Sequence, residues 1–332
     1  MIFYLYIALI FLSFFLTAGV RWFAIRKSIM DIPNNRSSHT VPTPRGGGLA
    51  VVIAWFTGLS FLYFGNNLEV SLFYALLSGI PLTFVGIADD ILNVKPGIRF
   101  AIQSICAGVS LLFLQGMYIP DLSGSSVFLT GLFSSLAFIG ILWSINLYNF
   151  LDGIDGYIAT EVIFIGLAIY IITGDNLGLL LAVSVSGFLA WNWPKARIFM
   201  GDAGSTLLGF TIAILAIFHQ NQNVTSIWVW LILTSLFWFD ASITLVRRII
   251  NREKISEAHR KHAYQRIVRA GVSHRKTVLF SIVLNVIGFG FAYLAHSFTQ
   301  LAWIFLISDL LILALVLLYI DKRKPFDYKD CK

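Results

Sequence analysis

Residues 70–88, VSLFYALLSGIPLTFVGIA, carry no charge over nineteen consecutive positions, and they end on the adjacent pair Asp89 and Asp90. A run of that length crosses the hydrocarbon core of a bilayer as a helix. Two neighbouring carboxylates at its end ionise together only where water, a cation or a metal is close by. The sequence therefore concentrates negative charge where a membrane ends.

The run has many companions. The 332-residue chain is 58% hydrophobic and 12% charged, with a mean hydropathy of +0.80, far from the composition of a soluble domain. Apolar stretches recur at 2–24, 46–65, 70–88, 100–119, 128–148, 157–173, 178–193, 206–220, 227–246, 277–296 and 300–320. The expected fold class is an all-α polytopic membrane protein of about eleven transmembrane helices. Several stretches are short enough to be tilted, broken or re-entrant. One transmembrane domain, 1–320, is expected, with a polar tail at 321–332. The first stretch is longer than a signal-peptide core and lacks a small-x-small cleavage site, so it reads as retained. Cys106 and Cys331 are far apart and suggest neither a disulfide framework nor a metal knuckle.

Charge sets the orientation. The segments 25–45 (with Arg21 just before), 89–99, 149–156, 194–205, 247–276 and 321–332 hold all 24 Lys and Arg, ten of them in 247–276. The alternate segments 66–69, 120–127, 174–177, 221–226 and 297–299 hold none. Basic residues stay cytoplasmic, so the N-terminus is expected outside and the C-terminus inside. The net charge of +7 then reflects topology and attraction to anionic head groups, with no need for nucleic acid.

Each large polar constellation falls on that basic set. Residues 31–50, DIPNNRSSHTVPTPRGGGLA, hold Arg36, His39 and Arg45 as phosphate contacts, and Gly46, Gly47 and Gly48 as a source of free N–H groups at a helix start. A plain basic juxtamembrane loop is the alternative. Residues 89–99, DDILNVKPGIR, put Lys95 and Arg99 after the paired acids, a combination suited to a metal with phosphates. In NLYNFLDGIDG, residues 146–156, Asn146, Asn149, Asp152 and Asp155 recur every third position. They form a drifting stripe on an α-helix or align in a tighter turn. Acids at a helix C-terminus oppose the macrodipole, so a merely capping role is weak. In FMGDAGS, residues 199–205, Asp202 is either an N-cap or, in company with the other acids, a magnesium ligand. In the loop 247–276, His259 and His262 are spaced to share a helix face with Arg260, Lys261, Gln265 and Arg266 nearby. Such cations suit a diphosphate better than a metal pair.

Acids, a divalent cation and basic side chains are the equipment of phosphoryl transfer. Two other classes stand beside it. An ion-coupled transporter would use the intramembrane Glu161, Asp240 and Asp309, with its polar residues at mid-bilayer. An intramembrane aspartyl protease would need two facing Asp within its spans.

The order DD…NxxNxxDGIDG…GDAGS with a late His loop resembles the polyprenyl-phosphate N-acetylhexosamine-1-phosphate transferases, the family of MraY and WecA, over nearly the whole chain. The PRGGG and HRKHAYQR segments resemble the WbpL/WbcO branch, which starts O-antigen or related chains. The late loop reads His-Arg-Lys-His, where WecA-like members have closely spaced histidines. The resemblance implies transfer of a sugar-1-phosphate from a UDP-N-acetyl sugar to undecaprenyl phosphate at the cytoplasmic face of a bacterial inner membrane. It implies Mg²⁺, with Mn²⁺ as a substitute, held by Asp202 and Asn149. It gives catalytic roles to Asp89, Asp90, Asp152, Asp155, His259 and His262. Arg36, His39, Arg45, Lys95, Arg99, Asn146, Arg260 and Gln265 become substrate contacts. N-acetylglucosamine or a 6-deoxy N-acetylhexosamine is the implied sugar, and a homodimer is compatible with the family.

Overall fold

The computed structural model describes residues 2–33, 41–119, 126–254 and 259–326. Arg36 and His39 lie outside the described residues, as does the sequence beyond 326. Helix α1 spans Ile2–Arg26. A short antiparallel ladder follows, β1 (Met30–Asp31) with β2 (Thr43–Pro44), pairing Met30 with Pro44. Then come α2 (Gly48–Phe64), α3 (Val70–Leu77), α4 (Ile80–Leu92), α5 (Pro96–Phe113), α6 (Val127–Leu151), α7 (Tyr157–Thr173) and α8 (Asn176–Asn192). The chain continues through α9 (Asp202–Asn221), α10 (Ile227–Leu233), α11 (Ser235–Ile250), α12 (Ala263–Arg269), α13 (His274–Ser297) and α14 (Ala302–Arg323). All-α membrane architecture is what the hydropathy pattern predicts.

Two expected spans are broken. The run 70–88 divides into α3 and α4 around Ser78-Gly79, where Pro81 has no N–H to give and crowds the carbonyl four residues back. α4 also continues to Leu92, so Asp89 and Asp90 sit on its last turn rather than in a loop. The run 227–246 bends by 76° between α10 and α11. No Pro or Gly marks that bend. Thr234 Oγ1 instead donates to Trp230 O at 2.7 Å, a back-bond that favours bending.

Among the described residues, seven helices are long and apolar enough to cross a bilayer, or eight if α10 and α11 count as one bent span. The helices on the expected stretches 46–65, 157–173 and 178–193, namely α2, α7 and α8, have 17 residues each. At about 1.5 Å per residue that is roughly 25 Å of helix, short of a hydrocarbon core of about 30 Å. Large apolar side chains face outward, among them Phe15, Leu112, Phe128 and Leu315, which fits a bilayer as solvent. At the centre stands α9, buried along nearly its whole length and flanked by α2, α4, α6 and α10. Its N-terminus is where the polar segments meet.

Candidate active site

Asp89 and Asp90 are consecutive on a helix, so their side chains diverge by roughly 100° and reach different partners. Asp89 Oδ2 accepts from Arg99 Nη1 at 2.5 Å, and its Oδ1 accepts from Val94 N at 2.8 Å. Asp90 Oδ1 accepts from Arg45 Nη2 and, at 3.3 Å, from the backbone N–H of Asp202. Asp90 thus caps the start of α9 from a neighbouring helix. Gly201 precedes it at φ +77°, a left-handed conformation, and a Cβ there would stand 2.5 Å from Asp90 Oδ2. Gly86 allows the approach: a Cβ at that position would lie 2.4 Å from Ala203 N.

Arg45 arrives by backbone pairing. Phe199 N donates to Pro44 O at 2.8 Å, Gly47 N to Phe199 O at 2.9 Å and Gly48 N to Met200 O at 2.8 Å. The two loops run as one ladder, which brings Arg45 Nη2 to 3.9 Å from Asp202 Oδ1. This corrects the expected anion site at the glycine triplet for two of its three residues, because the N–H groups of Gly47 and Gly48 are used in the ladder.

Arg99, at the head of α5, reaches three groups. Besides Asp89 it stands 3.4 Å from Asp202 Oδ2 and donates to Asn149 Oδ1 at 3.2 Å. Asn149 Nδ2 donates to Ser205 Oγ at 3.4 Å. One turn earlier, Asn146 Nδ2 donates to Gln103 Oε1 at 2.9 Å, which joins α6 to α5. Asp152 follows the last residue of α6 as its C-cap. Burial first, then the carboxylates of Asp202 and Asp90, push its carboxyl up to about 7, partly offset by a hydrogen bond from the Gly201 backbone. Four carboxylates (Asp89, Asp90, Asp152 and Asp202) are thus gathered with two guanidinium groups.

Asp155 stands apart from them. Its Oδ2 accepts from Ala196 N at 3.1 Å and lies 3.3 Å from His274 Nδ1. The every-third-residue stripe divides because α6 ends at Leu151 and the chain turns. Lys95 is exposed at the N-cap of α5; the acids are countered by Arg45 and Arg99 instead.

His259 and His262 do not share a helix face. His262 is the N-cap of α12, and its neighbour precedes that helix, yet their ring centroids are only 4.9 Å apart. His262 N donates to Gln265 Oε1 at 3.3 Å. Asp240 Oδ1 lies 3.7 Å from His262 Nδ1, and both its oxygens accept from Ala263 N, at 2.8 and 3.0 Å. Burial, and then His262 and Arg248, hold the His259 imidazole down to about 3, so it is neutral at pH 7. Arg260 belongs to the same loop and accepts at its carbonyl from Arg269 Nη1 at 3.4 Å. Among the described residues, no hydrogen bond or ion pair joins His259, His262 or Gln265 to the four acids. The link is Tyr264, whose hydroxyl donates to Phe150 O at 3.2 Å beside Asp152.

Several supporting residues escape sequence reasoning. Gln103, Ser205 and His274 carry no local signal. Tyr264 has one in Gly153, where a Cβ would stand 2.1 Å from the tyrosine oxygen.

Asp202 and Asn149 offer hard oxygen donors beside an excess of negative charge, and this donor set fits Mg²⁺. Among the described residues no three His, Cys, Asp or Glu form a ready-made metal group. Mg²⁺ does not need one, since it keeps several waters and uses one or two carboxylates with substrate phosphates.

A profile of glycosyl transferase family 4 matches residues 72–220. A Bacillus subtilis protein named "Probable undecaprenyl-phosphate N-acetylglucosaminyl 1-phosphate transferase" is 32% identical over 335 residues, covering 94% of this chain and 91% of the relative. The chain belongs to glycosyl transferase family 4. Further relatives in this family are a Thermotoga maritima "Undecaprenyl-phosphate alpha-N-acetylglucosaminyl 1-phosphate transferase", 27% identical across 83% of this chain and 87% of its own, and a Mycobacterium leprae "Decaprenyl-phosphate N-acetylglucosaminephosphotransferase", 30% identical across 85% and 80%. The family 4 match includes Asp89, Asp90, Asn149, Asp152 and Asp202, whereas Arg45 and the histidine loop lie outside it.

Proposed function

We propose that this protein transfers an N-acetylhexosamine-1-phosphate from a UDP-sugar to undecaprenyl phosphate, releasing UMP. The observation that carries the proposal is the convergence of Asp89, Asp90, Asp152 and Asp202 with Arg45 and Arg99 at one end of an apolar bundle. Such a site borders lipid on one side and water on the other, as one amphipathic and one soluble substrate require.

In this reading the chain spans the inner membrane of a bacterium eleven times within one domain, 1–320. Its N-terminus is outside, its C-terminus and site are cytoplasmic, and homodimers are compatible with it. Supporting this are the clustering of Lys and Arg in alternate segments and the gathering of those segments at one end of the bundle. Mg²⁺, replaceable by Mn²⁺, belongs at Asp202 and Asn149. When bound, it supplies positive charge against the donor diphosphate and the departing UMP.

An oxygen of the lipid phosphate attacks the sugar-bearing phosphorus of the donor. The bond from that phosphorus to the oxygen bridging to UMP breaks, and that oxygen leaves with UMP. A phosphate monoester is largely dianionic near pH 7, so the attack needs little base. Asp89, tied to Arg99, orients the incoming phosphate, while Asp90 holds Arg45 and the head of α9 in place. Asp152 shapes the uridine and metal side, and Asp155 secures the adjoining turn through His274. Arg45, Arg99, Lys95, Arg260 and His262 face the phosphates, with Asn146 and Gln265 fixing the helices that carry them. Arg36 and His39 complete the phosphate contacts from the first cytoplasmic loop.

The names of the relatives make N-acetylglucosamine the first donor to try. A 6-deoxy N-acetylhexosamine, and a place at the start of O-antigen or another cell-envelope polysaccharide, follow from the likeness to the WbpL/WbcO branch. The test is UMP release by purified protein from a panel of UDP-N-acetyl sugars, with undecaprenyl phosphate and Mg²⁺ each withheld in turn. Release requiring both additions is expected. Well-folded protein that releases no UMP from any donor would overturn the reading.

A further inference from the structure

Asp321 sits in the last turn of α14, ahead of Lys322 and Arg323. An acid there opposes the helix macrodipole, whereas the two cations suit it. Asp321 is held by arginines from two other helices. Arg247, near the end of α11, grips it with both nitrogens: Nη1 to Oδ1 at 2.9 Å and Nη2 to Oδ2 at 2.8 Å. Arg266 of α12 adds Nη1 to Oδ1 at 2.5 Å and also donates to Lys324 O at 3.0 Å. Arg266 is only 2% exposed, so this contact is built into the fold.

Just beyond, the Phe326 ring gathers three cations. Lys261 Nζ lies 4.8 Å from the ring centroid, Arg247 Cζ 5.4 Å and Arg266 Cζ 5.7 Å. All are within the roughly 6 Å over which a cation is drawn to an aromatic face. Lys261 immediately precedes His262, and Arg266 lies one turn of α12 beyond it. Arg247 lies in the last turn of the helix that carries Asp240, the residue that caps α12. Residues 321–326 therefore touch both walls of the histidine loop.

We propose that Asp321 and Phe326 form a C-terminal clamp that positions the histidine loop, residues 259–269, for the donor diphosphate. The proposal rests on the reading that this loop faces the donor. The loop holds Arg260, Lys261, Arg266 and Arg269, and such a concentration of like charge pushes itself apart. Carboxylates settle part of it: Asp321 pairs with Arg266, and Glu253 with Lys261. The Phe326 ring draws the same cations together without adding further negative charge, so the clamp steadies the loop while Arg260 and Arg269 keep it basic. Asp321 and Phe326 are thus positioning residues, acting through Lys261, Arg247 and Arg266.

The test compares full-length protein with Asp321→Asn, Phe326→Ala, Phe326→Leu and Phe326→Tyr. Hydrogen exchange across 259–269 reads the clamp directly, and UMP release with each substrate varied separately reads its effect. Asp321→Asn and Phe326→Ala should exchange faster at 259–269 and raise the donor KM several-fold. The acceptor KM should stay the same in both. The thermal midpoint should stay the same in Phe326→Ala, whereas Asp321→Asn, which removes the charge partner of the buried Arg266, should lower it. Phe326→Tyr should behave as the parent, while Phe326→Leu, which keeps bulk but not the π face, should not. Exchange unchanged in both Asp321→Asn and Phe326→Ala overturns the clamp. Faster exchange with an unchanged donor KM overturns the positioning role. A parent chain that releases no UMP counts against the proposed reaction alone, because the exchange measurement still decides the clamp. Should Asp321→Asn fold poorly, Phe326→Ala, beyond the last helix, carries the test.

Discussion

The backbone N–H of Asp202 donates to the carboxylate of Asp90 at 3.3 Å, so an acid at the end of one helix caps the start of another. Asp89, one residue earlier, accepts from Arg99 and from the nearby Val94 N–H and does not cap α9. The two acids should therefore separate experimentally. Asp90→Ala removes the cap and the near partner of Arg45, and loss of a cap costs about 1 kcal/mol, up to about 2. Asp89→Ala leaves Arg99 with Asn149 and Asp202, so its effect on stability should be smaller while activity is still lost. Thermal or denaturant unfolding of both variants in detergent checks this; equal destabilisation would contradict the division of roles.

Arg99 holds Asp89, Asp202 and Asn149 from one planar fork. Lysine keeps the charge but is a point donor on a flexible stem. Arg99→Lys should lower kcat/KM for the UDP-sugar by about tenfold or more, equivalent to roughly 1.4 kcal/mol of transition-state stabilisation. Steady-state kinetics decide it, and near-normal turnover would mean that charge alone suffices.

Gly153 leaves room for the Tyr264 hydroxyl, which a Cβ would meet at 2.1 Å. Gly153→Ala should cost both stability and activity. Tyr264→Phe alone forfeits one hydrogen bond to Phe150 O, worth about 1 kcal/mol. In the double variant the deleted oxygen removes the worst clash, so it should recover much of what Gly153→Ala loses. A double-mutant cycle measures that coupling, and simple additivity would show that the two residues do not meet.

Burial and the neighbouring acids raise the Asp152 carboxyl to about 7. It is neutral below that pH and charged above it. If the charged form serves the reaction, kcat/KM for the donor should rise through pH 7, and more Mg²⁺ should move the inflection lower. The stability trend runs the other way. An unfolded Asp ionises near 3.9, so without ligands the native state should lose stability as pH rises from about 4 to about 7, then level off. Asp152→Asn should flatten both profiles, and an unaltered inflection in that variant would assign it to another group.

Much of the fold was legible because a bilayer imposes a length on each apolar run and leaves charge only at the ends. The acids Asp89, Asp90, Asp152 and Asp202, with Asn149, were legible for the same reason: they stand where the apolar runs end. Of their counter-charges, Arg99 was legible in the same segment as Asp89 and Asp90, whereas the pairing of Arg45 with Asp90 was not. Arg45 owes its place to a ladder between residues 44–48 and 199–200, a pairing that no local pattern announces. The same ladder consumes the N–H groups of Gly47 and Gly48, two of the three that the glycine triplet offers by sequence. The bend at Thr234 has no Pro or Gly to announce it, and the separation of Asp155 rests on where α6 stops. Such features depend on tertiary contacts, so periodicity does not reveal them.

Gly86 and Ala203 meet so closely that a methyl group does not fit between their helices. Shape, not charge, therefore fixes how far apart the acid-bearing segments stand. Groups that repel across a distance set by shape cannot relax by drifting away from each other. Arg45 and Arg99 balance only part of the charge of the four carboxylates, so a cation entering among them should ease their repulsion without moving the helices. Filling the site should for this reason stabilise the whole bundle.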